Sequence, residues 1–189
     1  MPRQPRYVVC LTGASGSIIG VELLKALPGE KHLVCSVDGE KVLTFETGLR
    51  VRDLKPWCKG IWKNDNMMAP VASGSFLWDG LVIAPCSMTT MGRLSSGISD
   101  NLISRLGAIA FKERRKFVIV PREAPLSKIH LRTMMDVTDA GAILIPAVLT
   151  FYTKPKSQDD HVRFIVGRVM DQLGIENDLV VRWGEKKKK

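Results

Sequence analysis

Histidine is scarce in this chain. His32, His130 and His161 are the whole supply, and the four cysteines, Cys10, Cys35, Cys58 and Cys86, contain no C-x-x-C pair. A zinc site or a disulfide framework is therefore not expected, and no aspartate-rich metal motif stands in for one. Aromatic residues make up only 6% of the chain and do not interleave with basic ones, which argues against a base-stacking surface for nucleic acid. No apolar run approaches the roughly 18 residues of a membrane span. Arg3 and Arg6 are not followed by the apolar core and cleavage site of a signal peptide. The expectation is a soluble, cytoplasmic protein with neither a membrane nor a nucleic acid as partner. Acid is short relative to base, with 19 Asp and Glu against 28 Lys and Arg, a formal net charge of +9. Part of the excess is the terminal run Lys186 to Lys189, read as a flexible, solvated tail. The rest is spread along the chain, with one cluster at Lys112 to Lys116. A cationic enzyme for anionic substrates accounts for it.

What is present is a regular alternation. Arg6 to Thr12 is an apolar, β-branched run of strand length, and Ile18, Ile19, Leu23, Leu24 and Leu27 then recur at helical spacing up to Pro28-Gly29. Lys31 to Val37 predicts a second strand and Gly39 to Thr47 a short helix. Val51 to Gly74, with Pro56, Trp57, Gly60, Trp62 and Pro70, predicts a long functional loop carrying a short strand. Gly80 to Pro85 and Lys116 to Pro121 predict buried strands, and Ala142 to Pro146 another. Between and after them come helices over Met88 to Ser96 (capped by Ser87), from Asp100 as cap to Lys112, over Lys128 to Asp139, and over Gln158 to Gly174. Continuous apolar strands separated by helices imply a parallel sheet covered on both faces, and the absence of repeats and linkers implies one domain over residues 1–189.

In such sheets ligands gather at the carboxyl ends of the strands. The unusual residues of this chain stand there: Thr12-Gly-Ala-Ser15, Ser36, Pro85-Cys-Ser-Met-Thr-Thr90 and Pro121-Arg-Glu-Ala-Pro125. The turn TGASGS is neither the dinucleotide fingerprint nor a P-loop, but a glycine-rich strand-to-helix turn bares backbone N–H groups at the positive end of a helix dipole and suits an anion. Hydroxyls at Ser15, Ser17, Ser87, Thr89 and Thr90 suit a phosphate-bearing cofactor, and Arg122 adds bidentate recognition of phosphate or of a heterocycle's carbonyls. Taken singly, Ser87 is a plain helix cap, Arg122–Glu123 an internal ion pair, Tyr152 a packing residue and Lys112 a solvated helix face. Arg168, in the apolar context FIVGRV, must find a partner or water. His130 reads as structural.

The segments TGASGS, APCSMTTMGRLSSGISDNLISR, FKERRKFVIVPREAPLSKIHLRTM, GAILIPAVLTFY and DQLGI…RWGE together resemble the flavin prenyltransferases, the UbiX-like flavoproteins, from Tyr7 to Glu185. The resemblance implies a Rossmann-like or flavodoxin-like three-layer α/β sandwich with a mostly parallel sheet. It implies an enzyme that binds reduced FMN and a dimethylallyl phosphate and joins the two without a metal. The product, prenylated FMN, would serve a UbiD-type decarboxylase as partner, and the assembly would be a homo-oligomer, a dodecamer with sites shared between subunits. Carried over by motif, Gly13, Ala14, Ser15, Ser36, Ser87, Met88, Thr89, Thr90 and Arg122 would contact FMN. Lys112, Arg122, Tyr152 and Arg168 would hold the substrate phosphate. Ser15 and Glu123 would handle protons, with Glu46 assisting. The chemistry is consistent: breaking an allylic C–O bond builds negative charge on phosphate, which cations and a phenol stabilise. The chain departs from many relatives at Met67, where a tryptophan would offer cation–π stabilisation to the allyl cation.

Two other readings compete. A flavin-dependent cysteine decarboxylase would share the fold, but it would carry an Ala-Ser-Ala-Asn type segment in place of PCSMTT and an early catalytic histidine, and no histidine precedes His32. A non-catalytic flavin-binding protein is the non-enzyme alternative.

Overall fold

The alternation of apolar runs resolves, in a computed structural model that describes residues 3–180 and 182–184, into six parallel strands and six α-helices. The strands are β1 (Arg6–Leu11), β2 (Glu30–Cys35), β3 (Gly60–Lys63), β4 (Gly80–Cys86), β5 (Lys116–Pro121) and β6 (Ile143–Leu144). The helices are α1 (Ser17–Ala26), α2 (Val37–Thr47), α3 (Met88–Ser95), α4 (Leu102–Lys112), α5 (Lys128–Asp139) and α6 (Gln158–Leu173). The sheet order is β3-β2-β1-β4-β5-β6 and every pairing is parallel.

Strand side chains alternate between two apolar layers, as the period of a strand requires. Tyr7, Val9 and Leu11 of β1 join Val82, Val118 and Val120 under α1 and α6, while Val8 and Cys10 join Ile83, Phe117 and Ile119 under α4. The result is the expected three-layer α/β sandwich of Rossmann-like or flavodoxin-like type. No helix of the described residues is long and apolar enough to cross a membrane. The expected basic tail at Lys186 to Lys189 lies outside the described residues.

Several expected boundaries move, most by one residue, and β2 covers Glu30–Cys35 rather than Lys31 to Val37. α2 starts at Val37 rather than Gly39, because Ser36 takes the cap position and accepts the Gly39 N–H at 3.0 Å. Asn101 rather than Asp100 caps α4, accepting the Ser104 N–H at 3.0 Å. β6 has two residues instead of five. The pairing continues past it through the amides of Ile145 and Ala147, which donate to Ile119 and Pro121, but Pro146 between them has no N–H to extend the ladder.

One buried group makes the fold sensitive to acid. His32 of β2 is 5% exposed, its Nδ1 accepts the Trp62 indole N–H at 3.3 Å, and its Nε2 has no partner among the described residues. Burial first, and then the charge of Arg6, push its pKa below the ordinary histidine value, against a smaller upward pull from Glu30; Lys59 adds a further lowering. The folded protein therefore keeps His32 neutral, and below about pH 6.5 the unfolded chain binds the extra proton. Urea midpoints are expected to fall as pH drops from 7.5 through 6.5 toward 5.5. A flat profile over that window contradicts a neutral, buried His32.

Candidate functional site

The strand order reverses direction between β1 and β4, so the loops leaving their carboxyl ends part and open a crevice. One buried hydroxyl ties the two ends together. Thr12, 1% exposed, donates its Oγ1–H to the Pro85 carbonyl at 2.9 Å and accepts the Ser87 N–H at 2.7 Å. Sequence reasoning gave Thr12 no such role, and a hydroxyl just past a buried strand was the available sign.

Three helix starts face this crevice, and electrostatics separates them. The first is the α1 turn. A Cβ on Gly13 would lie 2.7 Å from Cβ of Asp38, so only glycine lets the turn approach α2 this closely. The turn holds an anion as expected, but the anion is the chain's own. The Glu46 carboxylate accepts the Gly16 N–H at 3.0 Å and the Ser17 N–H at 2.9 Å. Burial raises the Glu46 pKa, but the Ser15 side chain and the Ser17 and Gly16 amides together outweigh it, and the net shift is downward. The expected assisting acid is thus a carboxylate cap on α1. The second start, α2, carries Asp38 and Glu40 in its first turn and repels anions. The third, α3, carries no acid there.

At α3, Ser87 Oγ accepts the Thr90 N–H at 3.3 Å and donates to Thr90 Oγ1 at 3.1 Å, while Thr89 stands exposed. The Arg122 N–H donates to the Cys86 carbonyl at 3.4 Å, which brings this exposed arginine alongside the acid-free start. The Cys86 thiol beneath is fully buried, and burial raises its pKa far enough to keep it protonated and unreactive. Arg122 and Glu123 form no ion pair among the described residues. Glu123 is exposed and its Oε1 accepts the Ala124 N–H at 3.1 Å.

The structure brings Ser15, Glu46, Ser36, Ser87, Met88, Thr89, Thr90, Arg122 and Glu123 to the carboxyl edge of the sheet. Two of the other expected phosphate ligands, Lys112 and Arg168, stand apart from Arg122. Lys112 ends α4 and pairs with Glu113 at 3.3 Å, just before β5 begins. Arg122 follows the end of β5, whose six residues span about 20 Å. Arg168 lies well along α6, paired with Asp171 at 2.9 Å. α6 runs back to the amino edge of the sheet, where Lys116 donates to the Leu173 carbonyl. Tyr152 packs edge-on against Phe164 at 6.0 Å and Trp183 at 5.4 Å. Phe164 and Arg168, four residues apart, share one helix face. A cavity of about 520 Å³ lies between Ser15, Glu46 and the start of α6 at Gln158 and Asp159, two residues that sequence reasoning missed. Met67 is 39% exposed, and the two nearby tryptophans are engaged elsewhere: Trp57 lies under Lys25 at 5.1 Å, and Trp62 is stacked on His32.

Removing the Glu46 cap tests its part. Glu46→Gln is expected to cost about 1 kcal/mol of stability in urea titrations at pH 7. The wild-type advantage should vanish on acidification: a lowered folded pKa supplies stability above the ordinary value of 4.5 and loses it as pH falls through the folded value. Equal stability of the two proteins at pH 7 rules out the cap.

The Flavoprotein family profile matches residues 1–170. The chain is 44% identical over 179 residues to the flavin prenyltransferase UbiX of Thermoplasma acidophilum, covering 94% of this chain and 99% of that one. Among solved structures, AnUbiX (PadA1) in complex with FMN and dimethylallyl pyrophosphate superposes with a TM-score of 0.93 at 40% identity, covering 97% of this chain and 100% of the other. A dodecameric FMN-dependent UbiX-like decarboxylase from Escherichia coli O157:H7 does so with a TM-score of 0.91 at 36% identity, covering 95% and 100%.

Proposed function

This chain belongs to the flavoprotein family, in the branch of the UbiX flavin prenyltransferases, and from that premise we propose that it joins a dimethylallyl group from a dimethylallyl phosphate to reduced FMN. The products are prenylated FMN and the released phosphate. The observation that carries the reading is the acid-free start of α3 with Arg122 beside it at the switch point, a cradle for one phosphate. The residues fit FMN: Ser36, Ser87, Thr89 and Thr90 offer hydroxyls, Gly13 to Ser15 and Met88 bound the crevice, and Arg122 supplies the cation. When bound, the reduced flavin supplies the nucleophile that takes the allyl group.

The chain's own groups do the rest. Arg122, Lys112, Arg168 and the Tyr152 hydroxyl receive the charge that develops on the departing phosphate. Glu123, at the mouth of the crevice, carries the proton released on ring closure, with the Ser15 hydroxyl as relay. Glu46 is a positioning residue that holds the Ser15 turn.

Because Lys112 and Arg168 lie away from Arg122 in one chain, the complete phosphate site draws on neighbouring copies. Exposed apolar side chains support such an assembly: Phe45 is 92% exposed and Ile129 of α5 is 74% exposed. The assembly we propose is the dodecamer described for the Escherichia coli relative. The proposed unit is one flavoprotein domain over residues 1–189, cytoplasmic, with a UbiD-type decarboxylase receiving the product.

The test is anaerobic incubation with reduced FMN and dimethylallyl phosphate or pyrophosphate, followed by mass spectrometry of the released flavin. A flavin heavier by one C5 unit is expected. Unmodified flavin from protein that retains FMN, with both phosphates, moves the assignment to the decarboxylase branch.

A further inference from the structure

β3 forms one edge of the sheet and pairs only with β2 among the described residues. Its other side leaves a row of backbone donors and acceptors open, a template for another extended chain. Beside it lies a cavity of about 560 Å³. The floor is apolar, formed by Val51, Cys58 and Ile61. The rim is cationic: Arg52, Lys55, Lys59 and Lys63 all line it and all are exposed, against the single acid Glu40.

Large apolar side chains are exposed on the neighbouring α2, at Val37 and Phe45, but none lies between residues 51 and 63. The strand edge and its cavity rim therefore offer charge rather than the apolar surface that a second copy would bury. Pairing two such edges would also set one rim of cations against another. Lysines on an edge strand discourage self-pairing, and the same charges select an acidic strand.

We propose that the open edge of β3 is a docking strand for an extended acidic segment of a partner protein. The segment's main chain adds to Gly60–Lys63, one apolar side chain enters the cavity on Val51, Cys58 and Ile61, and its carboxylates meet Lys55, Lys59, Lys63 and Arg52. This is strand addition with a side-chain pocket for selectivity. It is independent of the flavin crevice, since β3 lies at the far edge from β4 and β5.

The test uses the full chain and a fluorescein-labelled peptide of alternating glutamate and valine, with a lysine–valine peptide as control. Fluorescence anisotropy at physiological salt is expected to show binding of the acidic peptide alone, and hydrogen exchange should show new protection of the amides of residues 60–63. Lys59→Glu with Lys63→Glu should weaken binding by about tenfold or more, and Lys59→Gln with Lys63→Gln by less, with melting temperature and assembly size unchanged. Three results overturn the proposal. The first is no binding. The second is binding without protection at 60–63, which is general attraction to a basic protein. The third is protection of 60–63 that rises with protein concentration in the absence of peptide, which means that a second copy covers the edge.

Discussion

Glu123→Gln is expected to suppress formation of prenylated flavin by about a hundredfold or more while FMN retention is unchanged. The substitution changes almost nothing except the capacity to carry a proton. The Glu123 carboxylate accepts the Ala124 N–H at 3.1 Å, and the carbonyl oxygen of a glutamine can accept the same bond. Neither the Arg122 backbone contact to Cys86 nor the hydroxyls of α3 involve Glu123, so the phosphate cradle stays as it is. Single-turnover product formation, read by mass spectrometry against flavin bound, separates chemistry from retention. If Glu123→Gln prenylates at the wild-type rate, the proton passes through another group and the assignment to Glu123 fails. A parallel loss of flavin would instead make Glu123 a binding residue.

The second large effect lies in the packing of α1 on the sheet. Gly20→Val is expected to destabilise the protein by about 3 kcal/mol or more. A Cβ at Gly20 would stand 2.4 Å from the Ala84 carbonyl oxygen and 3.1 Å from Cγ of Leu11. The Ala84 oxygen is backbone in a fully buried strand, and the next residue, Pro85, holds Thr12 through its carbonyl, so it has no room to yield. For a chain of this length the loss corresponds to a fall in melting temperature of roughly 6–12 °C. Gly92, inside α3, supplies the contrast. Nothing lies within 4 Å of a Cβ built there, so Gly92→Ala should be neutral or stabilising by about 0.5–1 kcal/mol. Calorimetry on both variants decides the matter. Similar small changes would show that α1 can shift off β4 and that the contact does not constrain the crevice. A Gly20 variant that does not fold at all leaves the contrast intact, because the prediction is the difference between two glycines in helices.

Much of the site was legible because its parts are local. The run from Arg6 to Leu11 is strand-like whatever surrounds it, and Ser87 and Ser36 cap helices through bonds to amides only three residues ahead. Parallel order follows from alternation, and the carboxyl-edge rule then collects Ser15, Ser36, Thr90 and Arg122 in one crevice. β6 was overestimated because an apolar run reads as strand up to its proline, whereas the ladder depends on which N–H groups find a partner on β5. The resemblance placed Glu46 at the site, but its part as a cap on α1 was invisible for a similar reason. Its carboxylate meets amides some thirty residues earlier, a distance along the chain that no local pattern encodes.

By itself, then, the sequence determined the element types, the parallel sheet, the chemistry of the groups at the strand ends and the family. The first three rest on periodicity, capping and residue type, which act over a few neighbours; the family rests on the resemblance of long ordered segments. Only the tertiary structure decided that the anion on the α1 turn is the chain's own carboxylate, and that α3 keeps the acid-free start. That Lys112 and Arg122, ten positions apart, stand at opposite ends of β5 was by contrast already legible in the strand read over Lys116 to Pro121. A strand of six residues lies between them, and an extended chain carries its ends apart however alike their side chains are.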